Sequence, residues 1–141
     1  MSNSMYTPRL ELVATSLEHM EAELRDPAEL GVLLGVAIPT GWPPGEYDRD
    51  AQEYFRDQLA SNGPAAIGWL GWYALSRNED GSRKALVACA GYIGPPSEGS
   101  VEIGYSVMPE ACGRGYASEI VAALISRAFT RSDVREIIAH T

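Results

Sequence analysis

The sequence predicts an α+β fold in which helices cover both faces of one mixed α/β sheet. Its segments run strand, helices, three strands, helix, strand, and the last helix can cross over between two parallel strands. The chain has 141 residues, enough for one domain and too few for two. We therefore expect a single domain over residues 1–141, with no internal repeat.

The first elements are a strand and two short helices. Residues 9–14 alternate charged and aliphatic side chains, which predicts a strand with one solvent-exposed face. Ser16 can cap a helix, and Asp26-Pro27 ends that helix and begins another that runs to about Leu34. The apolar stripe of the first helix contains Leu17, Met20 and Leu24.

A loop rich in proline and glycine follows at residues 35–45 (GVAIPTGWPPG). Its composition excludes regular structure, and Trp42 is predicted to be exposed. Trp42 then forms either a substrate wall or a lid on the core, and the residues leave both open. Asp48 can cap the next helix, which ends at Asn62-Gly63-Pro64. Its apolar residues are Ala51, Tyr54, Phe55 and Leu59.

Three strands come next and predict an antiparallel meander. Residues 69–76 and 85–93 pair across a turn at 78–82, and a second turn leads to residues 101–108. One side of the third strand carries Val101, Ile103, Tyr105 and Val107, and the other carries Glu102, Gly104 and Ser106.

The C-terminal part predicts a helix over residues 113–130 and a strand at Glu136–Ala139. The apolar helical face consists of Ala117, Ile120, Val121, Leu124, Ile125 and Ala128. If the chain stops at Thr141, the edge with Ile137 and Ile138 has no neighbouring strand. A homodimer that covers this edge, a swapped segment or poor order is then expected there.

Composition excludes several classes of function. Nineteen acidic residues against eleven basic ones give a net charge of -8, which disfavours binding to nucleic acid. Apolar runs are far shorter than the roughly 20 residues that a membrane span needs, and the N-terminus has no signal-peptide core. We expect a cytoplasmic protein without membrane contact. Cys89 and Cys112 lie in no CxxC or Cys/His cluster, so no metal site is expected.

One loop carries a pattern with chemical meaning. Gly113 and Gly115 flank Arg114 just before the predicted helix, so backbone N–H groups, the helix dipole and a guanidinium converge on one point. Such a point attracts a phosphate or pyrophosphate. A P-loop is excluded because no Gly-Lys-Ser/Thr follows the glycines. A tight loop-to-helix junction with no ligand would have a similar sequence, so that alternative stays open.

Together with the strand before it, this loop resembles a known family. The strand VEIGYSV, Pro109 and the loop CGRGYA are similar to the acetyl-coenzyme A motif of the GCN5-related N-acetyltransferase superfamily. The segment TPRLELVATSLEHMEAEL is similar to the opening of its subfamily of ribosomal-protein N-terminal acetyltransferases. The resemblance covers nearly the whole chain, with two departures. Cys112 stands where the family has Arg or Gln, and the family's C-terminal helix and strands are absent.

The resemblance implies an acyl-CoA N-acyltransferase fold, a mostly antiparallel sheet with one splayed pair of parallel strands. It implies acetyl-CoA as cosubstrate and an amine as acceptor, either a small molecule or a protein N-terminus. The residues implied to hold the pyrophosphate are Cys112, Gly113, Arg114, Gly115, Tyr116 and Ala117. Val107 and Met108 are implied to bind the pantetheine arm.

Glu102 matches the family's general base, which deprotonates the amine directly or through water. A solvated glutamate on the polar side of a strand is the alternative interpretation of Glu102. For the whole chain, two alternatives to the enzyme are a non-catalytic module that binds acyl-CoA or a phosphorylated ligand, and a structural domain.

Overall fold

A computed structural model describes residues 3–139, which form one six-stranded sheet flanked by helices. Its strands are β1 (Ser4–Tyr6), β2 (Leu10–Ala14), β3 (Gly71–Arg77), β4 (Arg83–Tyr92), β5 (Ser100–Val107) and β6 (Glu136–Ala139). Its α-helices are α1 (Leu17–Arg25), α2 (Pro27–Leu34), α3 (Arg49–Asn62) and α4 (Tyr116–Ala128). Short 3-10 turns lie at Gly63–Ala66 and Pro109–Ala111.

The strands are ordered β1 to β6 across the sheet, and all neighbours are antiparallel except β5 and β6. Helix α4 is the crossover between that parallel pair. This arrangement confirms the predicted mixed sheet and the predicted crossover. Strand β1 was not predicted, because three residues are too few to show an alternating pattern.

The helix boundaries follow the capping residues that the sequence indicates. Ser16 accepts a hydrogen bond from the His19 N–H, and His19 Nδ1 accepts one from the Ser16 N–H, so the pair closes a capping box. Asp26 caps α2 and Asp48 caps α3 through side-chain carboxylates that accept hydrogen bonds from the Ala28 and Ala51 N–H groups. None of the described helices is long and apolar enough to cross a bilayer.

The two faces of the sheet are covered by different helices. Tyr73 on β3 donates a hydrogen bond to Glu23 of α1 on one face. Tyr92 on β4 donates to the Leu124 carbonyl of α4 on the other, at 2.6 Å. The helical residues Ile120, Leu124 and Ala128 are fully buried on this second face, as predicted.

The predicted solvent-exposed side of strand β2 is wrong, because all five of its residues are buried. Glu11 is only 5% exposed, and its carboxylate accepts hydrogen bonds from Arg83 Nε at 2.9 Å and Nη2 at 2.8 Å. The long Arg83 side chain reaches it from β4, two strands away. Glu11 thus lies in the interior although the alternating pattern predicts exposure, because the fold brings Arg83 next to its carboxylate.

Trp42 corrects a second prediction, because it is buried and 8% exposed. Its indole Nε1–H donates a hydrogen bond to Glu23 at 2.7 Å. A buried acceptor for this N–H lets the whole ring enter the core. Of the two interpretations of Trp42, the lid on the core is confirmed.

Candidate active site

The parallel strands β5 and β6 pair over only part of their length. The ladder joins Ser100–Ile103 to Glu136–Ala139. Beyond Ile103, no strand among residues 3–139 pairs with β5 on this side, although β4 continues to pair with it as far as Val107. On this side, β5 beyond Ile103 has no partner strand within the described residues.

The direction of the peptide groups shows which of them lie on this edge of β5. The Met108 N–H donates to the Val87 carbonyl of β4 at 2.8 Å. In an antiparallel pair the hydrogen-bonding direction alternates from one residue to the next. Tyr105 and Val107 therefore direct their N–H and C=O groups away from β4, toward the side of β6.

Met108 differs from what the sequence predicts. Its N–H is bonded to Val87, its carbonyl accepts from the Ala111 N–H at 2.9 Å, and its side chain is buried. The Met108 N–H is therefore committed to β4, and of the two residues predicted to bind the pantetheine arm only Val107 directs its N–H away from β4. Val107 remains a candidate for that contact, and Tyr105 joins it.

The loop at residues 112–117 lies directly after this edge and leads into α4. Gly113 and Gly115 both have φ of 80°, a left-handed conformation that favours glycine. Gly115 is the N-cap, and no side chain caps the helix. The first-turn N–H groups, which have no partners within a helix, are thus left for an external acceptor. Cys112 is exposed, and its thiol lies 3.8 Å from the Val107 carbonyl.

Helix α4 is fixed at its first turn by contacts with the start of β2. Glu119 accepts hydrogen bonds from the Thr7 hydroxyl at 2.5 Å and from Arg9 Nε at 2.7 Å. The Arg9 guanidinium also lies 4.7 Å from the Tyr116 ring centroid. Burial opposes the ionisation of Glu119, but these hydrogen bonds outweigh it and lower its pKa. The loop is therefore held by residues more than a hundred positions away in the sequence.

A basic groove of about 590 Å³ borders the same loop. It is lined by four cations, of which Arg9, Lys84 and Arg114 are exposed, and by two carboxylates; the charged lining residues are Arg9, Arg77, Lys84, Arg114, Glu79 and Glu110. In a chain of net charge -8, these cations provide a local positive potential beside the helix N-terminus. Arg114 belongs to the glycine loop that the sequence indicates, whereas Lys84 lies at the start of a strand without a motif around it.

A cavity of about 260 Å³, here called the β5 cavity, lies on the α3 side of the sheet. Its floor is formed by three glycines that stand in register on neighbouring strands, Gly71 opposite Gly91 and Gly91 opposite Gly104. A Cβ at Gly91 would lie 2.2 Å from the Leu70 carbonyl oxygen, so this position excludes side chains. A Cβ at Gly104 would meet nothing within 4 Å.

Glu102 lines the β5 cavity, on the same side of β5 as Gly104 and Ser106, as the alternation predicts. Glu46 contributes a second carboxylate at the cavity. The buried thiol of Cys89 also lines it, and burial raises the pKa of this thiol well above its usual value. Cys89 therefore stays protonated and is a poor nucleophile.

Three aromatic residues, here called the aromatic wall, close the α3 side of the cavity: Tyr47, Phe55 and Tyr73. The Tyr47 and Phe55 ring centroids are 6.2 Å apart. The Tyr47 and Tyr73 hydroxyls donate to the same oxygen of Glu23, at 3.0 and 2.5 Å. Trp42, the former candidate for a substrate wall, does not line this cavity.

Glu23 is a buried carboxylate with four hydrogen-bond donors. Besides the two tyrosines it accepts from Trp42 Nε1 at 2.7 Å and Gln52 Nε2 at 2.9 Å. Burial raises its pKa, and the four donors offset this only in part. Sequence reasoning missed Glu23, because a glutamate on an amphipathic helix ordinarily indicates a solvated position.

Comparison with known proteins agrees with this arrangement. The family model described as Acetyltransferase (GNAT) domain matches residues 9–141. No curated protein is significantly similar to the chain.

Among solved structures, a GNAT-family acetyltransferase from Bacillus anthracis is 19% identical, with 96% of this chain and 72% of that chain covered and a TM-score of 0.53. RimL, a ribosomal L7/L12 alpha-N-protein acetyltransferase in its apo form, is 19% identical, with coverage of 99% and 71% and a TM-score of 0.55. At such identities these likenesses concern the fold. The family model covers nearly the whole chain, and the chain therefore belongs to the GNAT family of acetyltransferases.

Proposed function

We propose that this protein transfers the acetyl group of acetyl-CoA to a primary amine by direct attack. The observation that carries the proposal is the position of β5 between two sites. Tyr105 and Val107 direct their peptide groups away from β4, along the edge that leads to the α4 N-terminus, and Glu102 on the same strand lines the β5 cavity. A thioester along the edge and an amine in the cavity would meet at this strand.

The residues present fit acetyl-CoA as a substrate. The peptide groups of Tyr105 and Val107 can pair with the amides of the pantetheine arm as a neighbouring strand would. The residues proposed to hold the pyrophosphate are Cys112, Gly113, Arg114, Gly115, Tyr116 and Ala117. Their backbone N–H groups and the charge of Arg114 supply what a pyrophosphate needs. Cys112 provides no charged side chain, so backbone donors and Arg114 carry this role.

Glu102 is the proposed general base. It takes a proton from the acceptor's ammonium group, directly or through water, and the free amine attacks the thioester carbonyl carbon. A C–N bond forms, the C–S bond breaks, and CoA leaves as a thiolate that takes up a proton. A backbone N–H at the β5 edge stabilises the transient oxyanion.

The first experiment measures acetyl-CoA binding by calorimetry. Reversal of one exposed charge, Arg114→Glu, is expected to weaken binding by about tenfold or more, since it places an anion beside the pyrophosphate. Arg56→Glu on α3 is the matched control and should bind as the parent does. Absence of binding to the parent chain would make residues 112–117 an ordinary helix start and overturn the proposal.

The second experiment tests catalysis. Glu102→Gln should retain acetyl-CoA binding but lower kcat by about a hundredfold or more. CoA release in the presence of an amine is the readout. Acetyl-CoA binding without turnover in the parent chain would contradict the enzyme and favour a non-catalytic acyl-CoA binding module.

A further inference from the structure

We infer that the acceptor is a small primary ammonium ion with a flat apolar body, an arylalkylamine in chemical class. The inference rests on the proposed function and concerns the β5 cavity. This cavity measures about 260 Å³. Sites for drug-sized ligands typically measure about 300–1,000 Å³, so a small acceptor is favoured over a polycyclic one such as an aminoglycoside.

The aromatic wall presents apolar surface to the cavity. The Tyr47 and Tyr73 hydroxyls are both bound to Glu23, which lies outside the cavity lining. Burial raises the pKa of both phenols, so they remain protonated donors committed to Glu23. Phe55 has no polar group. The wall therefore offers ring surfaces to the acceptor rather than hydroxyl groups.

The ionisable carboxylic acids at the cavity are not balanced by basic lining residues within the described part of the chain. Glu46 and Glu102 line it, while no Lys, Arg or His does so among residues 3–139. A cation is attracted to such a site and an anion is repelled. The proposed reaction also requires that Glu102 take a proton from a cationic acceptor bound next to it.

The remaining polar groups are too few for a sugar or a peptide. Besides the two tyrosine hydroxyls bound to Glu23, the side-chain hydroxyls among the lining residues are those of Thr15, Tyr105 and Ser106, and Thr15 is 2% exposed. A sugar or peptide buried here would leave hydroxyl or amide groups without partners, which disfavours binding. An arylalkylamine has one ammonium for the carboxylates and one ring for the wall.

The test compares kcat/KM for five acceptors at saturating acetyl-CoA: phenethylamine, ethylamine, spermidine, kanamycin and a short peptide with a free N-terminus. We expect phenethylamine to exceed each of the others by about tenfold or more, the effect of burying one aromatic ring. Acetyl-CoA binding is measured on the same samples.

Matched variants locate the effect. Phe55→Ala should reduce the preference for phenethylamine over ethylamine by about tenfold. The control is Phe129→Ala. Phe129 is the chain's other phenylalanine, lies at the end of α4 and is 50% exposed, so this variant should leave the preference for phenethylamine unchanged. Glu46→Gln should raise the KM for phenethylamine severalfold, whereas Glu21→Gln on the exposed side of α1 should not.

The outcomes separate this inference from the proposed function. Faster acetylation of spermidine, kanamycin or the peptide than of phenethylamine would overturn the inference and leave the proposed transferase standing. Unchanged preference in Phe55→Ala would also overturn it. Failure to bind acetyl-CoA, or binding with no amine acetylated, would overturn the proposed function and the inference with it.

Discussion

Glu23 shows how a single residue joins several parts of the molecule. Its two oxygens accept from Trp42 in the loop before α3, Gln52 on α3, Tyr47 and Tyr73. These donors belong to segments separated by up to 50 residues from Glu23. The carboxylate thus ties the helices to the sheet and holds two rings of the aromatic wall in place.

Removal of this carboxylate should destabilise the protein strongly. Glu23→Ala leaves four buried donors unsatisfied and is expected to lower the free energy of unfolding by about 3–5 kcal/mol. Glu23→Gln keeps one acceptor oxygen but turns an amide toward donors, so a loss of about 1–3 kcal/mol is expected. Urea denaturation followed by circular dichroism measures both. Glu21→Gln, exposed on the same helix, should change stability by less than about 0.5 kcal/mol. A loss that small in Glu23→Ala would contradict the assigned hydrogen bonds.

At the scale of elements, the row of glycines across β3, β4 and β5 explains why a cavity exists in the middle of a sheet face. At Gly91 and Gly71 a Cβ would collide with the Leu70 carbonyl or the Thr15 hydroxyl, at 2.2 and 2.9 Å. At Gly104 the space is open. The first two positions therefore need glycine for packing, while the third leaves the cavity empty.

A side chain at Gly104 should fill the cavity without disturbing the fold. Gly104→Val is expected to lower kcat/KM for the amine by about a hundredfold, because it displaces the acceptor from the reacting position. The affinity for acetyl-CoA should stay within about threefold of the parent's. The melting temperature should not fall, since valine has a higher strand propensity than glycine. Gly104→Ala is the graded control with a smaller effect. Unchanged acceptor kinetics in the valine variant would show that the amine binds elsewhere.

For the whole molecule, the sequence predicted what depends on local patterns. Capping residues Ser16, Asp26 and Asp48 and the alternation of β5 defined most elements and the face that carries Glu102. The start of α4 after Gly113 and Gly115 was predicted as well, since a helix start and its glycines are adjacent in sequence.

What the sequence could not predict depends on partners distant along the chain. Burial of Glu11 requires Arg83, burial of Trp42 requires Glu23, and both pairs form only once the sheet is assembled. The status of Met108 depends on Val87, which occupies its N–H. In each case the residue's own pattern is compatible with exposure, and a hydrogen bond from another element decides the outcome.

The Glu11–Arg83 pair should make the stability of the whole molecule depend on acid. The Arg83 hydrogen bonds outweigh burial and hold the pKa of Glu11 below the usual value of a glutamate. A lowered folded-state pKa contributes stability that is present above the unfolded value and is lost as pH falls through the folded value. Glu23, whose pKa is raised, acts in the opposite direction, so the contribution of Glu11 must be isolated by a difference between two proteins.

Arg83→Met provides that difference, since it leaves Glu11 buried without its cation. At pH 7 the free energy of unfolding is expected to fall by about 3–5 kcal/mol relative to the parent. As the pH is lowered toward about 4, the deficit should shrink, because Glu11 becomes protonated in the variant and no longer needs a partner. Arg25→Met removes an exposed pair with Glu29 and should cost less than about 1 kcal/mol at any pH. Urea titrations at several pH values measure both, and a deficit independent of pH would mean that Arg83 stabilises the fold by packing rather than by its charge.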